Sequence, residues 1–284
     1  MRLFALLIVA LLAACATPPP PTPAAAVVVG KPGLRANGTV LHSSERGTYV
    51  VTCAHVAEWL TGEEVYVELA NGERLPARPV LPTPAELSAG RTLQTPARDD
   101  SLAEQARAAR GQALVAQRKV EGDLALLRVE RPGRLPAARL SDQGSAWWVQ
   151  PRTPPEGPRA IELYEAPHRT QVPRSERLLW AGNSGSGVFD VQGRLHAVVS
   201  HSPTEGRRRS SAGGLRTYVA QRGPALRALG LAEVAEELER VCAALAAQRE
   251  EAANKDVWIG LTPAWRIRAW LEAAGWGWLL SRSP

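Results

Sequence analysis

The strongest constraint on the fold is a series of short runs of β-branched or alternating apolar residues, separated by glycine, proline or polar residues. Many short runs at this spacing are typical of antiparallel barrels and sandwiches. Asn71-Gly72 between two of the runs is a strong hairpin signal. The strands predicted in this way are 38–42, 48–53, 65–69, a return strand to about 80, 120–129, 146–149, 160–164, 187–190, 195–200 and 215–220.

Two segments depart from the β pattern. Residues 82–117 are rich in Ala, Arg, Gln and Glu and predict an insertion with a helix near Ser101 to Arg110. Apolar residues then recur at helical spacing, which predicts a helix in the last part of the chain. These residues are Leu231, Val234, Ala235, Leu238, Val241, Cys242 and Leu245. A second helix is predicted with Thr262 as its N-cap and Pro263 at its first position.

Five of the nine tryptophans lie between 258 and 278. We expect them to pack this tail onto the barrels, with an amphipathic contact at a membrane surface as the alternative. The expected folded unit is therefore residues 30–228, with a helical insertion at about 82–117. A helical, Trp-rich extension at 229–284 is expected to pack on that unit.

The N-terminus has the pattern of an export signal. A short basic start precedes an apolar stretch, Phe4 to Leu12, which is too short to span a bilayer. Leu12-Ala13-Ala14-Cys15 resembles a bacterial lipobox, which implies a signal peptide at 1–14 and a lipid on Cys15. Residues 15–29 would then be a lipidated cysteine and proline-rich tether. We expect an exported protein, lipid-anchored in a bacterial cell envelope and facing the periplasm or the outer membrane. An ordinary signal peptide with an incidental cysteine is the alternative.

Charge and cysteine content narrow the range of partners. The formal net charge is +6, but no aromatic-interleaved or helix-turn-helix pattern accompanies the basic residues, so a nucleic-acid partner is not expected. Three cysteines do not form a disulfide framework. Cys53 is interpreted as a small buried apolar residue, with a Cys53–Cys242 bridge as the alternative. No metal or cofactor is expected.

Three segments carry reactive residue types in a suggestive order. His55 ends an apolar strand, Asp123 heads another strand, and Ser184 lies in the glycine-bounded loop 182–187. A serine nucleophile needs a base to take its proton and a carboxylate to orient that base. Asp123 comes directly before a buried strand, so we expect its carboxylate to lie in a dry place where it can orient His55.

The glycines around Ser184 permit a tight turn whose amides converge on one point. We expect the backbone amides of Gly182 and Ser184 to form an oxyanion hole. Ser186 competes for the role of nucleophile, but Ser184 rather than a glycine stands two residues before it, so its setting fits less well.

The chain resembles the chymotrypsin-like (trypsin-fold) serine peptidases, most of all the bacterial HtrA-type and glutamyl-endopeptidase-type domains. The resemblance covers about 38–220 without the insertion, and it rests on four segments. These are 49–56 around the histidine, 123–129 after the aspartate, 182–186 around the serine and the hairpin 193–200. It implies two six-stranded antiparallel β-barrels with the His55, Asp123 and Ser184 triad in the cleft between them. It also implies peptide-bond cleavage through an acyl-enzyme on Ser184.

The resemblance also indicates where a substrate would bind. Leu178 falls where trypsins carry an acidic residue, which disfavours basic P1 side chains; a small or apolar P1 residue is expected. Ser200, His201 and Ser202 are expected to form a backbone edge that pairs with the substrate as an added strand. The segment 203–214 is expected to form a pocket wall. The implied partner is a protein or peptide substrate.

Two other functions compete with a membrane-tethered serine endopeptidase. The first is a catalytically silent lipoprotein of the same fold that acts as a binding or scaffold protein. The second is an esterase or lipase, because 182–186 loosely fits a nucleophile elbow. Those hydrolases run in the chain order Ser, Asp, His, whereas this chain runs His, Asp, Ser, and it lacks βα alternation.

Overall fold

A computed structural model describes most of the chain after the proline-rich segment. The described residues are 25–60, 64–91, 101–130, 134–143, 147–152, 159–161, 163–165, 171–173, 183–201, 205–254 and 260–281. The predictions for 1–24, including the signal peptide and the lipidated cysteine, lie outside these residues.

The first half of the chain closes into a six-stranded antiparallel barrel with strand order β1-β2-β3-β6-β5-β4. Its strands are β1 (Ala26–Lys31), β2 (Leu34–Ser44), β3 (Gly47–Cys53), β4 (Tyr66–Glu68), β5 (Arg74–Leu81) and β6 (Leu124–Val129). The predicted hairpin joins β4 to β5, with Gly72 in the left-handed region at φ 82°. One of the two expected barrels is therefore confirmed.

The barrel is held together by the β-branched and leucine side chains that marked its strands in the sequence. All of β3 is buried, and its pairing with β6 runs from Thr48–Val129 to Cys53–Leu124. Val27, Val29 and Val50 are fully buried in the same core. Burial of such side chains is the main favourable term in folding. His55 and Asp123 thus sit at matching ends of two adjacent, fully packed strands.

The second half of the chain forms two smaller sheets. The larger has five strands in the order β13-β12-β11-β7-β8, and β9 pairs with β10 in the other. The strands are β7 (Trp147–Gln150), β8 (Arg159–Ile161), β9 (Leu163–Glu165), β10 (Gln171–Pro173), β11 (Gly187–Phe189), β12 (Leu195–His201) and β13 (Gly260–Pro263). Strand β10 contacts β13. Within the described residues these sheets do not form a closed barrel, so the second barrel stays a prediction.

Strand β13 was not foreseen, because 229–284 was expected to be helical. It pairs antiparallel with β12, with Val198 opposite Thr262 and Val199 opposite Leu261. The tail therefore contributes a strand to the sheet that carries the serine loop. The domain boundaries at 30 and 229 themselves stay predictions.

Six α-helices are present in the described residues. They are α1 (Ala54–Ala57), α2 (Pro84–Arg91), α3 (Leu102–Glu121), α4 (Glu205–Ala228), α5 (Ala232–Asn254) and α6 (Ala264–Ala273), and a 3₁₀ turn follows at Gly277–Leu280. A capping box between Ser101 and Glu104 starts α3 where the sequence predicts a helix. The helix runs to Glu121, well beyond the expected end at Arg110, so the predicted strand start at 120 is wrong and β6 begins at Leu124.

The predicted strand at 215–220 is also wrong, because these residues lie inside α4. Leu215, Tyr218 and Val219 follow the i, i+3, i+4 spacing of one helix face, and they pack on the core shared with α5. A short apolar run fits both the two-residue period of a strand and the 3.6-residue period of a helix. Packing against α5 favours the helix here. The described part of the expected pocket wall, 205–214, is helical too.

Helices α3 and α4 both pack on α5 around a shared core, and we name this unit the α3–α5 bundle. Ala109, Ala113 and Ala116 of α3 face the apolar side of α5, as the sequence pattern for α5 predicts. Arg227 and Glu239 form a two-pronged ion pair between α4 and α5 at 2.7 and 2.6 Å. The bundle meets the two sheets where α3 leads into Asp123 and α4 follows β12.

Two of the C-terminal tryptophans, Trp276 and Trp278, pack on the first barrel. Trp276 and Trp278 stack on each other and meet Tyr49 edge-on, and Trp278 also meets His42. Helix α6 starts one residue later than expected, with Pro263 as its N-cap. Cys53 and Cys242 are both buried and neither forms a disulfide, so the alternative Cys53–Cys242 bridge is wrong. No helix in the described portion is long and apolar enough to cross a membrane.

Candidate active site

His55 lies at the point where β3 turns into α1. The strand ends at Cys53, which is extended at φ −84° and ψ 147° and serves as the N-cap of the short helix. The imidazole is 31% exposed, whereas the barrel side chains around it are buried. The ring thus lies at the edge of the barrel and is partly exposed to solvent.

Asp123 is presented by the end of α3. Gly122 and Asp123 both have positive φ, 127° and 54°, and both amides donate to the carbonyl oxygen of Arg118 at 3.0 and 2.7 Å. This is a left-handed helix cap, in which glycine is favoured and aspartate is tolerated. The carbonyl oxygen of Asp123 in turn accepts from the amide of Ala54 at 2.8 Å. The backbone of Asp123 is therefore tied to both α3 and α1.

The carboxylate of Asp123 binds His55 at two points. Oδ2 lies 2.5 Å from Nδ1 of His55, and Oδ1 accepts from the backbone amide of His55 at 3.0 Å. The side chain of Asp123 is only 7% exposed, as its place before a buried strand suggests. With Nδ1 directed at a carboxylate, Nε2 is the nitrogen of the ring that can exchange a proton with another group.

The serine loop is docked on the first barrel by backbone hydrogen bonds. Ser184 accepts at its carbonyl oxygen from the amide of Asn37 on β2 at 3.0 Å. Gly185 has φ 84°, and a Cβ there would overlap the carbonyl oxygen of Asn37 and lie 2.5 Å from Thr52 Oγ1. The glycine after Ser184 is needed both for its conformation and for this close approach.

The two serines of the loop are in different states. The hydroxyl of Ser186 is fully buried and donates to the carbonyl oxygen of Asn183 at 2.6 Å, so it is committed to holding the turn. Ser184 is half-buried. This difference makes Ser184 the better candidate for a reactive serine than Ser186.

One carbonyl oxygen joins the serine loop to the histidine strand. The oxygen of Val199 on β12 accepts from the amide of Gly185 at 2.8 Å and from the thiol of Cys53 at 2.9 Å. Gly185 follows Ser184, and Cys53 stands two residues before His55. The shared acceptor therefore holds the backbone at Ser184 close to the strand end that carries His55.

Two residues of this framework were missed at the sequence level. Cys53 was interpreted only as a buried apolar residue, yet its thiol is a donor at the junction of the two halves. Asn37 is fully buried: its carbonyl oxygen accepts from Thr52 Oγ1 and its Oδ1 accepts from the amide of Arg152, both at 2.6 Å. Asn37 lies in a strand with several other polar residues, so the sequence pattern did not single it out.

Two buried groups near His55 and Asp123 have shifted pKa values. Burial raises the pKa of the Cys53 thiol well above its usual value; the negative charge of Asp123 acts in the same direction, and the amide of Gly185 partly opposes both. Cys53 is therefore a neutral donor and not a nucleophile. Burial lowers the pKa of Arg118, whereas the carboxylates of Glu58, Glu86, Glu121 and Asp123 act to raise it.

Donor atoms of Cys53, His55 and Asp123 lie within 4.8 Å of one another and are the one such group in the described residues. Two ligands on a tetrahedral zinc ion would lie about 3.4 Å apart, given bond lengths near 2.1 Å. The 2.5 Å between Nδ1 and Oδ2 is much shorter than this. The spacing fits a hydrogen bond between histidine and carboxylate rather than a metal centre.

The remaining predicted site residues either lie outside the described residues or make contacts that do not test the role predicted for them. Gly182, Leu178 and Ser202 are among the latter. The hydroxyl of Ser200 is buried and donates to the carbonyl oxygen of Gly260 at 3.2 Å, which joins β12 to β13. His201 is the last residue of β12. The substrate edge expected at 200–202 stays a prediction.

The whole chain was compared with known proteins. No family model matches it, and no curated protein matches it. Among solved structures, it is similar to an inactive form of the Rv3671c protease at 16% identity and a TM-score of 0.38, covering 64% of this chain and 79% of that chain. An inactive mutant of Rv3671c from M. tuberculosis H37Rv gives 16% identity and a TM-score of 0.40, covering 65% and 78%.

A serine endoprotease from Yersinia pestis gives 16% identity and a TM-score of 0.38, and the match covers 64% of this chain. It spans only 55% of the Yersinia chain. These similarities are too distant to carry an activity from one protein to the other, so the function rests on the geometry of the site.

Proposed function

We propose that this chain is a serine endopeptidase that hydrolyses peptide bonds through an acyl-enzyme on Ser184. The observation that carries the proposal is the double contact of Asp123 with His55, made next to a serine loop that is docked on the same barrel. A buried carboxylate that orients one ring nitrogen leaves the other to act as general base and acid.

Each residue then has a definite role. Nε2 of His55 takes the proton of Ser184 Oγ as that oxygen attacks the substrate carbonyl carbon. Asp123 stabilises the imidazolium that results, and the amides of Ser184 and Gly182 stabilise the oxyanion. His55 returns the proton to the leaving amine, and a water molecule, deprotonated by His55, releases the acid product and restores Ser184.

The substrate is proposed to be a protein or peptide in extended form. It would pair with the backbone at 200–202 as an added strand. A leucine at 178 and the absence of a carboxylate there favour a small or apolar P1 side chain over a basic one. The protein would act at the cell envelope, exported and tethered to the membrane by a lipid on Cys15 through the proline-rich segment.

The proposal is tested by labelling the detergent-solubilised full chain with a fluorophosphonate probe, which reacts with activated serines. Wild type is expected to label, whereas the Ser184→Ala and His55→Ala variants are not, and Ser184→Ala should keep the melting temperature of the wild type. Ser186→Ala is a matched control within the same loop and should still label. Failure of a folded wild type to label, or labelling of Ser184→Ala, would contradict the assignment.

A further inference from the structure

Arg118 is a buried arginine at the end of α3, close to the His55–Asp123 pair. Its side chain is 8% exposed, and the sequence pattern did not predict a buried cation there. Its carbonyl oxygen accepts both the Gly122 and the Asp123 amide, at 3.0 and 2.7 Å. The carbonyl oxygen of Arg118 therefore accepts the bond from the C-cap residue Gly122 and also holds the backbone of Asp123.

The guanidinium of Arg118 points towards the helix that carries the base. Nη1 lies 4.0 Å from Oε1 of Glu58, whose side chain is 15% exposed. Glu58 directly follows α1, and its amide donates to the carbonyl oxygen of Ala54 at 2.8 Å. Among the described residues, neither Nη1 nor Nη2 of Arg118 has a hydrogen-bond acceptor.

Burial of an arginine is unfavourable unless its charge is compensated. Here the compensating carboxylates come from three elements, since Glu58 follows α1, Glu86 belongs to α2, and Glu121 and Asp123 lie at the end of α3. Arg266 of α6 approaches from another side, where its Cδ lies 3.4 Å from the position of a Cβ on Gly122. The cation of Arg118 is therefore placed where α1, α2 and α3 converge beneath the catalytic pair.

We propose that Arg118 is a positioning residue of the triad: its backbone oxygen holds the chain at Asp123, and its buried side chain, paired with Glu58, ties α3 to the helix that carries His55. The inference rests on the proposed function only for the consequence for catalysis. The statement that Arg118 maintains the bond between His55 and Asp123 does not depend on what reaction the two residues carry out.

Two other contacts at the C-terminal cap of α3 fix its backbone, but they do not tie Glu58 to α3 as Arg118 does. Thr262 donates its hydroxyl to the carbonyl oxygen of Gly122 and fixes that peptide from β13, and the Ala54 amide fixes the Asp123 carbonyl oxygen. These bonds hold the backbone but do not connect the side of α1 that bears Glu58 to α3. In the described residues, the ion pair with Arg118 joins Glu58 to α3.

The test compares Arg118→Met, which retains apolar volume, with Arg118→Lys, which retains the charge. Arg110→Met is the matched control, because Arg110 is an exposed arginine of the same helix. In Arg118→Met we expect kcat for a peptide substrate to fall by roughly 10- to 100-fold with KM changed less than about 2-fold, since misplacement by a fraction of an ångström affects chemistry more than binding. Arg118→Lys should recover most of the loss.

A second readout does not depend on catalysis. In ¹⁵N-histidine-labelled protein carrying Ser184→Ala, the proton on Nδ1 of His55 is protected from exchange by its bond to Asp123. We expect Arg118→Met to speed that exchange at least about 10-fold, and Arg110→Met to leave it unchanged. A role in helix packing alone would lower the melting temperature without altering this signal.

Glu58→Gln completes the design, because it removes the charge partner from the more exposed end of the pair. It should speed the exchange by itself, and it should add little when combined with Arg118→Met. Unchanged exchange in a folded Arg118→Met variant overturns the inference, and so does an equal effect of Arg110→Met. If Arg118→Met does not fold, unchanged exchange in Glu58→Gln overturns it. If wild type neither labels nor hydrolyses peptides, the proposed function fails while the exchange experiment still decides this inference.

Discussion

Replacement of Gly185 by alanine tests how tightly the serine loop must approach the first barrel. The residue has φ 84°, and a Cβ would overlap the Asn37 carbonyl oxygen and lie 2.8 Å from the Asn37 carbonyl carbon. Asn37 is fully buried in β2, where it pairs with Val28 of β1. The obstacle is therefore backbone within a sheet, which cannot rotate away as a flexible side chain could.

The expected effect has two parts. The left-handed conformation costs an alanine about 1–2 kcal/mol relative to glycine. In addition, the loop must move by about 1 Å to restore an ordinary contact distance, and a shift of that size at a reacting group can lower the rate by about 100-fold. We therefore expect a stability loss of at least about 1–2 kcal/mol and a labelling rate at Ser184 reduced about 100-fold.

Gly193→Ala is the matched control. Gly193 also has positive φ, 71°, but no atom lies within 4 Å of its Cβ position, so only the conformational cost applies. The assays are the fluorophosphonate labelling rate and denaturant unfolding of both variants beside the wild type. If Gly185→Ala labels as fast as Gly193→Ala, the close approach of the loop to β2 does not position Ser184, and the reasoning is refuted.

Two further predictions concern the cysteines. Burial raises the pKa of Cys53, so above about pH 9 the unfolded chain loses the thiol proton while the folded protein keeps it. The free energy of unfolding should therefore fall with pH by about 1.4 kcal/mol per pH unit more in wild type than in Cys53→Ser. Parallel pH profiles of the two proteins in urea unfolding would show that the thiol is not held neutral. Cys15→Ser should move the protein from the membrane fraction to the soluble fraction on cell fractionation, because a lipid is the proposed anchor, and an unchanged distribution would exclude lipidation at that cysteine.

Much of the first barrel follows from local sequence pattern. Strand β3 is a run of β-branched residues, and the β4–β5 hairpin has the turn residues Asn71-Gly72. Few other structures accept these patterns, and both elements are where they were predicted. Local pattern also places His55 at the end of one strand and Asp123 at the head of another, but the pairing of β3 with β6 is what brings the two ends together. The roles of the site residues remain predictions until the labelling experiment is done.

Other parts could not be predicted from local pattern. The segment 215–220 is helical because α5 offers it an apolar face, and the two alternatives look alike in a run that short. Strand β13 is four residues long and is stabilised by its pairing with β12, some 60 residues earlier in the chain. Neither element carries enough local preference to be recognised by itself.

The sequence by itself determined the β-rich first half, its hairpin, the helical character of 232–254 and the chain order of His55, Asp123 and Ser184. The tertiary structure decided which polar groups support that trio. The thiol of Cys53 and the amide of Gly185 share the Val199 oxygen, Asn37 anchors the serine loop, and Arg118 lies beneath Asp123. These contacts join residues far apart in the chain, and they form only when the packed strands and helices bring the buried donors and acceptors within hydrogen-bonding distance.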